Sequence, residues 1–337
     1  MDKIVALKNM PISFPGLFGE WSINPDPVAI HIGHGIYWYG IIIAIAMLAG
    51  YYLALKQSKR FGIPENDVMD MLLVSVPCCI LCARIYYVVF YLDLYRNADG
   101  SLNFRDMIAI WDGGIAIYGA VIGGVIAAIM VARYKKLPLG ALTDLCVMGL
   151  MLGQAIGRWA NFMNREAFGG ITTLPWRMRL WTSATEFVEV HPTFLYESLW
   201  NTVGVLLLVF VVSAGRRFDG ENTWFYFLWY GLGRLWIEGL RTDSLYLFDL
   251  TLLGQPVRVS QALSLVMIVV STAMLVYQIG IKKRTADGLW VNRLSAAAES
   301  AESAAEETAH SLEEVIIEQA VEAAAEAMED SENGNSH

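Results

Sequence analysis

Charged residues are scarce in this 337-residue chain. They make up 17% of it, against 55% hydrophobic residues and a mean hydropathy of +0.44. That balance excludes an ordinary soluble domain. Cysteine is scarce as well, with four in the chain, and the Cys78-Cys79-x-x-Cys82 cluster has no histidine or acidic residue beside it. These cysteines, with Cys146, indicate buried small side chains and predict neither a disulfide framework nor a metal site.

Long apolar runs account for the excess of hydrophobic residues. Four runs carry no charge, and three more carry isolated charges. At ~1.5 Å per residue, about 20 helical residues cross a hydrocarbon core of ~30 Å. The sequence therefore predicts an all-α, polytopic membrane protein with about seven transmembrane helices. They are Ile36–Leu55, Asp67–Leu92, Gly114–Ala132, Leu139–Asn164, Ser198–Gly215, Asn222–Leu240 and Val259–Ile281.

The charge of the connecting loops predicts an orientation. If the N-terminus is outside, the inner loops 56–66, 133–140 and 214–221 hold eight Lys or Arg in 27 residues. The outer loops hold seven in 66 residues. Because cytoplasmic loops carry the excess of positive charge, we expect an N-out, C-in topology.

The rest of the chain divides by composition. Residues 1–35 lack the features of a removable signal peptide and indicate an outer-surface N-terminal arm. Residues 36–285 form the predicted transmembrane catalytic domain, with loop 165–192 as an outer-face head region. Residues 286–337 form an acidic Ala/Glu-rich tail, which has twelve acids and no Lys or Arg beyond Ser295. A weak amphipathic helix around Leu312 and Ile316 is one interpretation; composition favours a mostly disordered cytoplasmic appendage.

Small residues recur at helical spacing in two of the predicted helices. Gly149, Gly153 and Gly157 lie four residues apart, and so do Gly119 and Gly123. Because glycine lets membrane helices approach closely, this pattern predicts that the third and fourth helices pack side by side.

Ionisable residues inside apolar runs give the first indication of function. Arg158 and Arg234 are costly at membrane depth unless they face a partner or a wet cavity. In the predicted orientation they lie in the outer halves of their helices, while Asp70 and Asp144 lie near inner ends, where they cap or snorkel. Arginine suits a phosphate. Other polar and aromatic residues share that outer level: Tyr37, Trp38, Tyr39, Arg84, Tyr118, Asn161, Asn164, His191, Glu197, Tyr230 and Glu238.

Each of these residues also has an interpretation without catalysis. Tyr37 and Trp38 are typical interface anchors. Arg234 and Glu238, four residues apart, are typical of a salt bridge within a helix. Asn161 is typical of hydrogen bonds between helices, and His191 with Pro192 of a helix start. The functional interpretation depends on the ensemble, an outer-leaflet cavity with arginines in an apolar wall, which suits a phospholipid headgroup.

Four ordered blocks resemble the signature of the bacterial prolipoprotein diacylglyceryl transferases. The resemblance covers about residues 30–285 and omits the acidic tail. The blocks are Tyr37-Trp38-Tyr39-Gly40, Gly157-Arg158-x-x-Asn161-Phe162-x-Asn164-x-Glu166-x-x-Gly169, His191-Pro192-Thr193-x-Leu195-Tyr196-Glu197 and Tyr230-Gly231-x-x-Arg234-x-x-x-Glu238-x-x-Arg241.

The resemblance implies an enzyme of the bacterial inner membrane with a site that faces the outer leaflet. It would transfer the diacylglyceryl group of phosphatidylglycerol to the lipobox cysteine in the signal peptide of a preprolipoprotein. A thioether forms and glycerol phosphate is released, in the first step of lipoprotein maturation. The bilayer is its other partner. No metal, nucleotide cofactor or nucleic acid is expected.

The same resemblance implies roles for individual residues. Arg158 and Arg234 would bind the phosphate and stabilise the leaving group. Asn161 and Glu166 would orient the lipid and the essential arginine, and Glu238 would position Arg234. The other implied site residues are Tyr39 and Tyr230 on the headgroup, Arg241 at the outer mouth, and Asn164, His191 and Glu197 in substrate binding.

One position departs from part of that family, and one alternative function stays open. Tyr118-Gly119-Ala120 stands where some members have His-Gly-Gly, and a phenol is a poor base at neutral pH. The base is therefore unassigned, with Tyr118 as a catalytic candidate. The alternatives are a protein that binds or transports an anionic lipid or solute and, with seven helices as its only support, a receptor-like bundle. Both differ from a transferase in leaving thiols unmodified.

Overall fold

A computed structural model of the protein describes residues 5–32, 35–97, 100–242, 246–252 and 255–333. The chain forms two compact units, residues 1–286 and 287–337. Both are mostly helical. The α-helices are α1 (Pro15–Phe18), α2 (Trp38–Ser58), α3 (Glu65–Phe90), α4 (Phe104–Ile108), α5 (Ile117–Lys135), α6 (Leu139–Asn164), α7 (Thr193–Leu206), α8 (Glu221–Leu240), α9 (Val259–Leu275) and α10 (Trp290–Asn333).

Among the residues that the structure describes, six helical segments are long and apolar enough to cross a membrane. Two of them, those of α7 and α9, end in a π-helical turn. The seventh predicted helix, α8, has 20 residues, but it carries three charges and is not among the six. The six segments are Trp38–Phe61, Glu65–Phe90, Ile117–Lys135, Leu139–Asn164, Thr193–Val212 and Val259–Ile281.

Glycine determines which helices pack most closely, although the partners differ from the prediction. A Cβ on Gly123 would lie 2.5 Å from the carbonyl oxygen of Cys78, and one on Gly149 would lie 2.7 Å from that of Gly50. The close pairs are therefore α3 with α5 and α2 with α6. The helices α5 and α6 also lie in contact, as predicted, but less extensively than these pairs, because glycine spacing marks a face for packing without specifying the neighbouring helix.

Short strands correct the all-α prediction. They are β1 (Ile12–Ser13), β2 (Ser22–Ile23), β3 (Val28–Ile30), β4 (Ile36–Tyr37), β5 (Met178–Trp181), β6 (Phe187–Val190), β7 (Tyr246–Leu252) and β8 (Gln255–Arg258). One antiparallel sheet has the order β2-β1-β5-β6, and two hairpins pair β3 with β4 and β7 with β8. Because β1 pairs with β5, the arm and loop 165–192 share one sheet. Its core residue Leu180 belongs to the same apolar cluster as Phe162 of α6 and Phe194 of α7.

Arg165 anchors the N-terminal arm to the end of α6. It is 3% exposed, and it donates to the Met10 carbonyl and the Asn24 side-chain oxygen, both at 2.9 Å. Burial lowers the pKa of this guanidinium from its usual value. The arm is thereby held beside the last turn of α6, and Arg158 lies in the turn before it.

Two contacts hold α8 against its neighbours. At its start, Asp144 of α6 accepts from the backbone N–H groups of Gly220 and Thr223, both at 2.8 Å, so that it caps the helix. Further along, Trp229 and Trp200 of α7 stack with ring centroids 4.4 Å apart. Each indole N–H of this pair donates to the backbone carbonyl of the other residue at 3.0 Å. These contacts fix the direction in which the far end of α8 points.

The second unit contains one long helix, α10, of 44 residues. Composition favoured a mostly disordered segment here. Alanine and glutamate are both strong helix formers, so the same composition also suits a helix. Leu312 and Ile316 are exposed on this helix, and the amphipathic interpretation stays a prediction.

Candidate active site

A single carboxylate, Glu197, brings three arginines together. Its Oε2 contacts the Nη2 of Arg158, and its Oε1 accepts from the Nη1 of Arg234 at 3.0 Å. The Nη1 of Arg241 lies 3.7 Å from the same Oε1. The Glu197 side chain is 4% exposed, against 23%, 15% and 14% for the three arginines. The carboxylate therefore forms the floor of the cluster, and the guanidinium groups lie nearer its surface.

The members of this arginine cluster come from the ends of three helices. Arg158 lies in the last two turns of α6, Glu197 in the second turn of α7, and Arg234 near the end of α8. Arg234 also donates to Glu238, one turn further, at 2.5 Å. Since α6 and α8 run away from the Asp144 cap while α7 runs back towards it, these ends meet on one side of the bundle.

The loop after α6 ties the arginine cluster to the head sheet. The amide of Gly170 donates to the Leu240 carbonyl at 2.8 Å, and Gly169 forms a bridge with Arg241. A Cβ on Gly169 would lie 2.7 Å from the Cβ of His191 and 2.9 Å from the Leu240 carbonyl oxygen. Glycine is required at this position because the backbones of three segments cross there.

An amide-carboxylate chain extends from the arginine cluster along the end of α6. The Nη1 of Arg158 donates to the Oδ1 of Asn161 at 3.3 Å, and the Nδ2 of Asn161 donates to the Oε1 of Glu166 at 3.0 Å. Asn164 donates to the same Glu166 oxygen at 3.3 Å. The structure thus joins Asn161, Asn164 and Glu166 to Arg158.

His191 forms a separate polar group at the start of α7. Its Nδ1 lies 3.2 Å from the Tyr196 hydroxyl, which accepts from the indole N–H of Trp176 at 2.7 Å. Burial lowers the pKa of His191 below its usual value, so the imidazole is neutral at neutral pH.

Three predicted tyrosines are not joined to the arginine cluster. Among the residues that the structure describes, no hydrogen bond or ion pair connects Tyr39, Tyr118 or Tyr230 to its members. Tyr118 lies 6.2 Å from Tyr86 between ring centroids, and Tyr230 stacks on Tyr226 at 5.7 Å. In the described part of the chain, these tyrosines therefore take no part in the hydrogen bonds and ion pairs of the arginine cluster.

Arg84, which the sequence places at the same level, has a structural role. It is 6% exposed and donates to the carbonyls of Met107 at 2.9 Å and of Gly114 at 2.7 Å. It also donates to the Asp106 and Gly113 carbonyls. It therefore fixes the loop before α5 and does not join the arginine cluster.

Sequence reasoning missed Arg258. Its Nη1 donates to the backbone carbonyls of Glu238 and Arg241, the latter at 3.2 Å, so that it caps the end of α8 beside the cluster. Its position immediately before α9 was the available sequence signal for a role beside the helix ends, whereas in the prediction from sequence Arg258 is counted only as a charge of an outer loop.

The arginine cluster is suited to binding an anion. A guanidinium has five N–H donors. The recorded contacts of Arg158 with Asn161 and Glu197 use two of them, and those of Arg234 with Glu197 and Glu238 use two. Donors held in fixed positions in a low-dielectric site stabilise negative charge strongly.

Known proteins are similar to this chain over most of its length. The prolipoprotein diacylglyceryl transferase family matches residues 27–277. A phosphatidylglycerol–prolipoprotein diacylglyceryl transferase of Listeria welshimeri is 43% identical over 263 residues, which cover 75% of this chain and 90% of that protein. The enzyme of the same name from Synechococcus elongatus is 41% identical over 275 residues, which cover 78% of this chain and 91% of that protein.

A third relative supports the same assignment. The transferase of that name from Oceanobacillus iheyensis is 43% identical over 269 residues, 75% of this chain and 88% of its own length. With six helices suited to a bilayer, these matches indicate a multi-pass bacterial membrane protein. The family match spans well over half of the sequence, and the chain belongs to the prolipoprotein diacylglyceryl transferase family.

Proposed function

We propose that this chain transfers the diacylglyceryl group of phosphatidylglycerol to the lipobox cysteine of a preprolipoprotein. The cysteine sulfur attacks the glyceryl carbon that carries the phosphate, so that a C–S bond forms as the C–O bond breaks. The bonding electrons remain on the phosphate oxygen, and the thiol loses its proton. The products are a thioether-linked diacylglyceryl cysteine and glycerol phosphate.

The observation that carries this proposal is the convergence of Arg158, Arg234 and Arg241 on Glu197. During the reaction the phosphate changes from a diester with one negative charge to a monoester with almost two. Groups that bind the developing charge more strongly than the initial charge lower the barrier. The two arginines with unused donors, Arg158 and Arg234, are placed to do this.

Neighbouring residues have supporting roles in the proposal. Asn161 and Glu166 orient Arg158, and Glu238 orients Arg234, through the contacts described above. Tyr39 and Tyr230 would contact the headgroup, and Asn164, His191 and Arg241 would line the outer mouth. The base stays unassigned; a thiol of pKa ~8.5 is already a few per cent thiolate at neutral pH and needs modest help.

The proposal includes a place in the cell. We infer an inner-membrane enzyme whose arginine cluster faces the outer leaflet, with the N-terminus outside and α8 as a seventh spanning helix. Loop charge supports this orientation. The ~30 Å length expected of a 20-residue helix supports the seventh span. Residues 286–337 would then form a cytoplasmic tail.

An assay with purified protein, phosphatidylglycerol and a lipobox peptide tests the proposal. We expect glycerol phosphate release together with a diacylglyceryl mass increase on the cysteine peptide. The same peptide with Cys→Ser should show neither. Binding of phosphatidylglycerol without modification of the peptide, under conditions where a Listeria relative works, would instead indicate a lipid-binding or transport protein.

A further inference from the structure

The net charge of the ion pairs around Glu197 matches the charge of the substrate phosphate better than that of the product phosphate. The cluster contains Arg158, Arg234 and Arg241 with Glu197 and Glu238. Three positive and two negative charges leave a net charge of +1. A phosphodiester carries one negative charge, whereas a phosphate monoester carries about −1.5 to −2 at pH 7. The charge of a bound phosphodiester therefore balances the net charge of these five side chains, whereas the charge of a phosphate monoester exceeds it.

Two nearby charges contribute less to this balance. Glu166 is exposed and contacts Asn161 and Asn164, so that water screens it from a bound phosphate. Arg258 donates to the carbonyls at the end of α8, where the helix supplies partial negative charge.

We propose that Glu197 is a positioning residue that also weakens the binding of the product. Its carboxylate aims three guanidinium groups from beneath, and its negative charge limits the attraction between those groups and the glycerol phosphate dianion. The three guanidinium groups thus attract the leaving group strongly enough to stabilise it, but not so strongly that they retain the product. This inference rests on the proposed function, because it assumes that the reaction creates a phosphate monoester in this site.

The burial of the carboxylate explains why both effects come from one residue. At 4% exposure Glu197 has little water around it, so its charge acts on bound phosphate with weak screening. Its two oxygens contact arginines from different helices, so a displaced carboxylate would also move the guanidinium groups. A misplacement of about 1 Å in such a site costs on the order of 100-fold in rate.

The test compares two changes at the same position. Glu197→Gln removes the charge and should bind glycerol phosphate about tenfold more tightly, as expected for one unit charge a few ångströms away. Its kcat should fall on the order of 10- to 100-fold. Glu197→Asp keeps the charge but shortens the side chain, so its kcat should fall without the tenfold gain in affinity for glycerol phosphate.

Glu221→Gln is the matched control, because Glu221 is an equally buried carboxylate that pairs with an arginine at the other end of α8. It should bind glycerol phosphate as the parent does. If Glu197→Gln does not fold, Glu238→Gln removes the same charge from the other side of Arg234 and should give the same tighter binding.

Binding is measured by calorimetry with glycerol phosphate alone, in the absence of lipid and peptide. Unchanged or weaker binding by the charge-removing variants would overturn the inference, and so would an unchanged kcat in Glu197→Gln. Failure of the parent to modify the lipobox peptide would count against the proposed function instead, so the two failures are distinguishable.

Discussion

The two ends of the helix bundle both bury carboxylates, but they satisfy them with different partners. At the start of α8, Asp144 accepts from two backbone N–H groups and from the Thr223 hydroxyl at 2.9 Å. At the far end, the recorded partners of the Glu197 and Glu238 carboxylates are guanidinium groups. A carboxylate bound to backbone is part of the scaffold. One bound to arginines with further donors can share those arginines with an incoming anion.

The helix α8 contains a matched pair for this comparison. Arg217 and Glu221 form an ion pair with four-residue spacing at 2.7 Å, and Arg234 and Glu238 form another at 2.5 Å. Arg217 is 44% exposed and lies before the helix, whereas Arg234 is 15% exposed and contacts a second carboxylate, Glu197. Similar local patterns therefore hold the start of a helix in one case and form part of the proposed anion site in the other.

The largest expected effect separates these two arginines. Arg234→Ala should reduce turnover by at least 10²- to 10³-fold, the loss found when one donor to a developing oxyanion is removed. Arg217→Ala should retain parental turnover. Initial rates of glycerol phosphate release per folded protein measure both. Equal losses of turnover in the two variants would contradict the proposed difference between the two ends of the helix bundle.

The second-largest expected effect is a loss of stability, caused by a substitution at the opposite end of the bundle, where α8 begins. Asp144→Ala leaves the N–H groups at the start of α8 and the buried Arg216, 3.7 Å away, without this carboxylate. Breaking a buried charged network of this kind costs about 3–5 kcal/mol. Thermal unfolding in detergent should show a marked decrease in Tm, while turnover per folded molecule remains. A stable but inactive variant would assign Asp144 to catalysis.

A smaller effect concerns pH at the site end. Burial lowers the pKa of His191, so the unfolded chain binds this proton more readily than the folded protein. The stability contributed by neutral His191 is present above about pH 6.5 and is lost as the pH falls through the lower folded value. The Tm of the His191→Gln variant should therefore fall less between pH 7 and pH 5 than the Tm of the parent. Exposed His310 provides the control substitution, His310→Gln, which should behave as the parent does.

The smallest expected effect is at the tail. A chain truncated after Ser295 should keep parental kcat and KM, because in the proposed orientation the tail is cytoplasmic and cannot reach an outer-leaflet site. The assay described above measures both constants on purified protein. A large loss of turnover in a well-expressed truncation would contradict the proposed orientation or reveal a role for α10 in catalysis.

The sequence predicts the helices well because apolar runs and their lengths are local properties. It also predicts Arg158 and Arg234, since an isolated charge in an apolar run is conspicuous, and the pairing of Arg234 with Glu238 follows from their four-residue spacing. The two-residue strands of the arm are too short to produce an alternating pattern, so the sheet that joins the arm to the head could not be predicted.

The central position of Glu197 could not be predicted either. Its partners lie on α6, at the end of α8 and just beyond it, and no periodicity relates residues on different helices. Arg84 shows the reverse case. It shares the level and chemistry of the site arginines, yet nearby backbone carbonyls bind it. Only tertiary structure distinguishes an arginine that holds a loop from one that faces a site.

The pairing of charges within the arginine cluster has a consequence for biogenesis. As the chain emerges, α6 delivers Arg158, and the next helix delivers Glu197, its ion-pair partner. The helix after that carries Arg234 and Glu238 together. Within α6, α7 and α8, each addition after Arg158 is neutral or brings neutrality, and Arg241 follows after the end of α8. Arg158 therefore gains its counterion with the next helix, and Arg234 arrives together with its own.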